Sequence, residues 1–121
     1  MLTFARHPKY NKCTTKVNWG DGYLDIEYRN NKMRKICCDA QYAEKMYGRE
    51  NMEKIHLRLD QIEAADTVEM LIQYRIGRCH ALSMNRKGQY AMDLVHPYRL
   101  VFEKKGHEIQ IAYIVEIVDY H

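Results

Sequence analysis

"QYAMDLVHPYRLVFEKKGHEIQIAYIVEIVDYH", residues 89–121, decides the fold class. Its apolar residues recur in short strand-length runs, and turn-formers separate those runs. Residues 89–95 read as one strand, His96 and Pro97 as a tight turn, and residues 98–105 as the next strand. Gly106 breaks the chain before 108–121, a long strand with apolar residues on both faces, which predicts an interior position. Working upstream, "CHALS" (79–83) is a further short strand and "NRKG" (85–88) a turn.

The period changes before residue 77. "YLDIEY" (23–28) alternates as a strand, and Asn30 and Asn31 are N-cap candidates for a helix beyond it. Met33, Ile36, Cys37, Ala40, Ala43 and Tyr47 then recur at three- and four-residue steps, one face of a helix that Gly48 would end. Met52, Ile55, Leu59 and Ile62 mark a second helix. The spacing of Asp66 and Glu69 predicts a capping box opening a short third helical turn through Val68, Leu71 and Ile72. The order predicts an α+β domain over residues 23–121: an N-terminal strand, then an antiparallel helical hairpin packed on one face of a largely antiparallel sheet. Residues 1–22 are basic and lack a clear period. They read as an N-terminal extension, a candidate for flexibility.

At 121 residues the chain has room for one core. No apolar run approaches the roughly 20 residues that cross a bilayer, and no secretory h-region opens the chain. A cytoplasmic location without a membrane partner is the expectation. Four cysteines include no CxxC pair, so a zinc knuckle is not indicated, and Cys37 and Cys38 read as small buried hydrophobes rather than a disulfide framework. Charge is unevenly spread. Residues 30–66 balance seven Lys/Arg against seven Asp/Glu, whereas residues 71–105 carry seven Lys/Arg against Asp93 and Glu103 alone. Such a basic segment attracts a polyanion, or is simply a solvated face.

A helical layer on one face leaves the other to solvent or to a ligand. Several proton-handling and phosphate-binding side chains fall on the strands: His80 with Arg78 before it, Arg99, and the closing Asp119, Tyr120 and His121. That inventory suits cleavage of RNA, which needs a base for the 2′-hydroxyl, an acid for the 5′-oxygen and a cation for the phosphorane. Each residue also has an ordinary reading. His80 could be a structural hydrogen-bonder, Tyr120 a core cap, Asp119 an ion-pair partner and His121 a frayed end. By simple alternation Ile109, Ile111, Val115, Ile117, Asp119 and His121 share one face and Tyr120 the other. The closing three converge only if the strand twists at its end.

"GRCHAL", "RKGQYAMDLVHPYRLVFE" and "IVEIVDYH" together resemble the HigB branch of the RelE/ParE superfamily of bacterial toxins, over about residues 24–121. The resemblance implies the toxin of a type II toxin–antitoxin (plasmid maintenance) module. Such a toxin is a ribosome-dependent mRNA endonuclease that enters the ribosomal A site, inhibits translation and uses no metal or other cofactor. It also implies a cognate antitoxin, of the helix-turn-helix HigA type. The family's catalytic histidine falls on His80, its closing acid, tyrosine and histidine on Asp119, Tyr120 and His121, and its phosphate-binding arginine on Arg99. Ser83 and Met84 stand where many relatives carry lysine and glycine, and Arg86 or Lys87 are candidates for the missing charge. Two other functions fit the same sequence: a ParE-like toxin that inhibits DNA gyrase by contact, and a plain RNA-binding domain.

Overall fold

The computed structural model describes residues 24–107 and 110–119. The fold is α+β, with a five-stranded sheet and four helices among the described residues. The strands are β1 (Asp25–Tyr28), β2 (His80–Ala81), β3 (Gln89–Asp93), β4 (Tyr98–Lys105) and β5 (Ile111–Asp119), in sheet order β1-β5-β4-β3-β2. Only β1 runs parallel to its neighbour β5; every other pairing is antiparallel. The apolar character of β5 on both faces is explained by that interior place, with Ala112, Ile114 and Val115 all buried. The proposed extension at 1–22 lies outside the described residues, as do Tyr120 and His121.

The helices are α1 (Asn31–Cys38), α2 (Ala40–Tyr47), α3 (Arg49–Ala64) and α4 (Val68–Gln73). Asn30 caps α1, its side-chain oxygen accepting from Met33 N at 2.9 Å. The single helix expected up to Gly48 is broken at Asp39, which leaves helical backbone (φ −113°, ψ 102°). Its carboxylate accepts from Gln41 N and Tyr42 N, so it restarts the chain as α2. Gly48 then ends α2 at a positive φ of 91°, a conformation that favours glycine. Cys37 is buried as expected. Cys38 is half-buried, its Sγ 3.7 Å from the Tyr28 hydroxyl.

The capping box expected at Asp66 is replaced by a different device. Thr67 is the N-cap, accepting from Met70 N at 3.2 Å. The buried Gln110 side chain accepts from Val68 N at 2.9 Å and donates to Glu69 at 3.0 Å, while Lys104 Nζ donates to Glu69 at 2.7 Å. The start of α4 is thereby tied to the β4–β5 hairpin. The Lys104 hydrogen bond, then the Gln110 one, hold the Glu69 carboxyl down at about 2. A depressed folded-state value stabilises fully above the unfolded value near 4.5, and that contribution disappears as pH falls toward 2. Because the pair is solvent-exposed, the contribution is about 0.5–1 kcal/mol. Urea unfolding of wild type and Glu69→Gln should therefore differ by that amount at neutral pH and converge between pH 4.5 and 2.

The main core lies between the helices and one sheet face, where Ile55, Leu59 and Ile62 of α3 meet Met92, Leu100, Phe102 and Ile114 of the strands. On the opposite face Ala91, Val101 and Val115 form a second small cluster, flanked by Leu82, Tyr113 and Val118. No described helix contributes to it. A bulge between Val101 and Phe102 shifts the β4–β5 register. It reverses the alternation expected along β5, since Val115 belongs to the second face whereas Ile117 packs on the main core.

Candidate phosphate and proton-transfer site

The second face carries the candidate residues His80 and Arg99. His80 lies opposite Ala91 on the edge strand β2, and Ala91 belongs to the second-face cluster, so the histidine shares that face. Two positions further along β3, Asp93 lies opposite Arg99. The pairing thus sets His80, Asp93 and Arg99 on one side of the sheet, away from the helices.

His80 is exposed, and its Nδ1 is 2.8 Å from the Arg78 carbonyl oxygen. A carbonyl only accepts, so Nδ1 carries the proton and, in the neutral ring, Nε2 holds the lone pair. The residue is thereby set up as a base through Nε2. Its backbone arrives from a tightly wound 3-10 turn, Ile76–Arg78, around which Arg75, Gly77 and Arg78 all have left-handed φ values (52°, 60° and 58°). Two of the three are not glycine, and such outliers concentrate at functional sites.

Three arginines gather around Asp93. Arg99 Nε donates to its Oδ1 at 2.9 Å, and Arg78 Nε approaches its Oδ2 at 3.1 Å. Arg58 reaches over from α3, donating from Nε to the Asp93 carbonyl at 2.7 Å and from Nη1 to Gln61 at 3.0 Å. Burial lowers the Arg58 pKa, opposed by the Asp93 charge. Arg58 passes so close to Gly77 that a Cβ there would lie 2.8 Å from its Nε. Gly77→Ala would therefore combine left-handed strain with displacement of a charge-assisted hydrogen bond. It should cost about 2–4 kcal/mol by urea denaturation, with the loop carrying Arg78 and His80 loosened.

The remaining site candidates are spread more widely. Arg86 is engaged within the protein, its Nη2 donating to Glu116 Oε2 and its Nη1 to Gln89 at 2.7 Å. Lys87 next to it is exposed. Of the two candidates for the missing loop charge, Lys87 is thus the more accessible cation. Asp119 ends β5 opposite Tyr98, whose ring packs on the main core and edge-on against Tyr47. Asp119 accordingly has the alternation of the helix side, one position beyond Val118, the cross-strand partner of Arg99. It also lies three strands from His80, roughly 14 Å across the sheet. Arg78, His80 and Arg99 are brought together; Asp119 stands at the far end of the same sheet edge.

Asp93 and Arg58 were not among the sequence candidates. One signal was present for Asp93: it is an acid on a strand inside the most basic segment of the chain. Nothing in the spacing of α3 distinguishes Arg58 from its solvated neighbours. Among the described residues no group of three or more His, Cys, Asp or Glu side chains is arranged to hold a metal ion, and no helix is long and apolar enough to cross a membrane. Compared with protein-family models, with curated proteins and with solved structures, the chain matches none.

Proposed function

We propose that the protein is the toxin of a type II toxin–antitoxin module, a ribosome-dependent endonuclease that cuts mRNA in the A site. The observation that carries this reading is a histidine with its Nε2 lone pair available, on the same sheet face, covered by no described helix, as the Arg78–Asp93–Arg99 cluster. The resemblance of "GRCHAL", "YRLVFE" and "IVEIVDYH" to the HigB branch supports it from the sequence side. The α+β fold, with its helices and mostly antiparallel sheet, is consistent with the architecture that the resemblance implies.

In this mechanism His80 Nε2 takes the proton of a 2′-hydroxyl, which attacks the adjacent phosphorus. Arg99, with Arg78, balances the charge that grows on the phosphorane oxygens. The 5′-oxygen leaves with a proton from the acid that the resemblance assigns to His121; Asp119, on the helix side and roughly 14 Å from His80, is out of reach of the same phosphate. Lys87 steers the incoming backbone. The mRNA presented by the ribosome supplies the orientation that a site spread along a sheet edge lacks. A helix-turn-helix antitoxin encoded beside the gene would silence the protein in the bacterial cytoplasm.

Incubation with programmed ribosomes and, separately, with naked RNA tests the proposal. Cleavage on ribosomes with little on free RNA is the expected result. Salt-sensitive RNA binding without cleavage would instead indicate an RNA-binding domain. Toxicity in cells without new mRNA 5′ ends, accompanied by gyrase inhibition, would indicate the ParE-like activity.

A further inference from the structure

Asp93 uses two different groups to hold three guanidinium ions. Its carboxylate spans Arg99 and Arg78, one oxygen to each Nε, and its main-chain carbonyl anchors Arg58 from the helical layer. The Asp93 side chain is 24% exposed and that of Arg99 28%, whereas Arg78 is 73% exposed. We propose that Asp93 is the positioning residue of the phosphate site, its one carboxylate holding Arg78 and Arg99 side by side as a cradle for a single phosphodiester. The inference rests on the nuclease reading of this face.

Two guanidinium ions this close repel, and the repulsion grows where surrounding protein thins the solvent. The shared carboxylate removes that penalty and brings the pair from two positive charges to a net one. For Arg99 the carboxylate also fixes direction: its Nε donates to Oδ1, and a planar guanidinium held at Nε keeps its terminal nitrogens in that plane. Arg78 is held by charge, its Nε 3.1 Å from Oδ2, and its exposed side chain projects into solvent where a ligand can reach it. Asp93 in turn is held by Arg58, which fits because Gly77 offers no Cβ.

The proposal makes a prediction opposite in sign to simple electrostatics. Deleting a carboxylate beside a polyanion site ought to strengthen RNA binding and leave turnover intact or improved. If Asp93 positions the pair, Asp93→Asn should lower kcat on programmed ribosomes by roughly 10–100-fold while KM changes by less than about threefold. Asp93→Glu, which restores the charge, should recover part of the loss. An Asp93→Asn enzyme with wild-type kcat overturns the inference. Should that variant fail to fold, Arg78→Lys on the exposed side keeps the charge but lacks the planar group. It too should lose kcat, and wild-type turnover from it would equally overturn the proposal.

A second readout separates this inference from the nuclease reading. The arginine Nε–H resonances of Arg78 and Arg99 are followed by NMR during titration with a 2′-deoxy-substituted oligonucleotide. Both should move together in the wild type and lose that coupling in Asp93→Asn. If the wild type cuts nothing on ribosomes yet the two signals move together, the nuclease reading fails and the positioning role stands. If neither signal moves, or both still move together in Asp93→Asn, the positioning role is wrong.

Discussion

His80→Ala is expected to abolish the new mRNA 5′ ends seen with the wild type, with cleavage on programmed ribosomes lowered by about 10²–10⁴-fold, the usual worth of a positioned general base. The side chain is exposed, so its loss should leave stability within about 0.5 kcal/mol. A rate effect that large without a folding effect is hard to obtain from a structural histidine. His80→Asn sharpens the test. Its side-chain amide can still donate toward the Arg78 carbonyl, as Nδ1 does at 2.8 Å, but has no basic nitrogen to replace Nε2. Loss of activity in both variants assigns the role to the lone pair. Activity retained in His80→Asn would reduce the histidine to a peg for the loop.

The largest expected loss of stability comes from Phe102→Ala. Phe102 has no exposed surface, lies on the middle strand of the sheet and is stacked on its cross-strand partner Tyr90 at 5.6 Å between ring centres. Truncation of a buried phenylalanine costs about 3–5 kcal/mol, since the cavity collapses only in part. Against a total of roughly 5–15 kcal/mol for a domain of this size, that is a large fraction. The shift in urea midpoint at unchanged slope is the measurement. A loss under about 1 kcal/mol would mean that the sheet and the helical layer can close around the gap.

What was legible in the sequence depended on local punctuation. The bounds of β4 were readable because Pro97 and Gly106 flank it. The break at Asp39 was not, because Ile36, Cys37 and Ala43 keep helical spacing across it and all are buried. Asp66 and Thr67 are both good caps, and the structure uses Thr67 in concert with Gln110 from a distant part of the chain, which no local pattern encodes. The bulge beside Val101 likewise overrode a period-two reading that was sound on either side of it. For the site, residue types were legible and partners were not. His80 and Arg99 stood out as chemistry, but the pairing of Asp93 with Arg99 depends on strand register, and the Arg58 contact crosses layers.

Pairing of β1 with β5 joins Asp25 to Ile111, nearly the whole described length apart, and β5 also fills the place beside β4. Until β5 has been made, the first strand has no neighbour and β4 has a bare hydrogen-bonding edge. Closure over so long a span is slow, and an uncovered edge is sticky. Assembly of the sheet therefore waits on its most sequence-distant member, and a chain cut short within β5 is a candidate for aggregation rather than a weakened version of the protein.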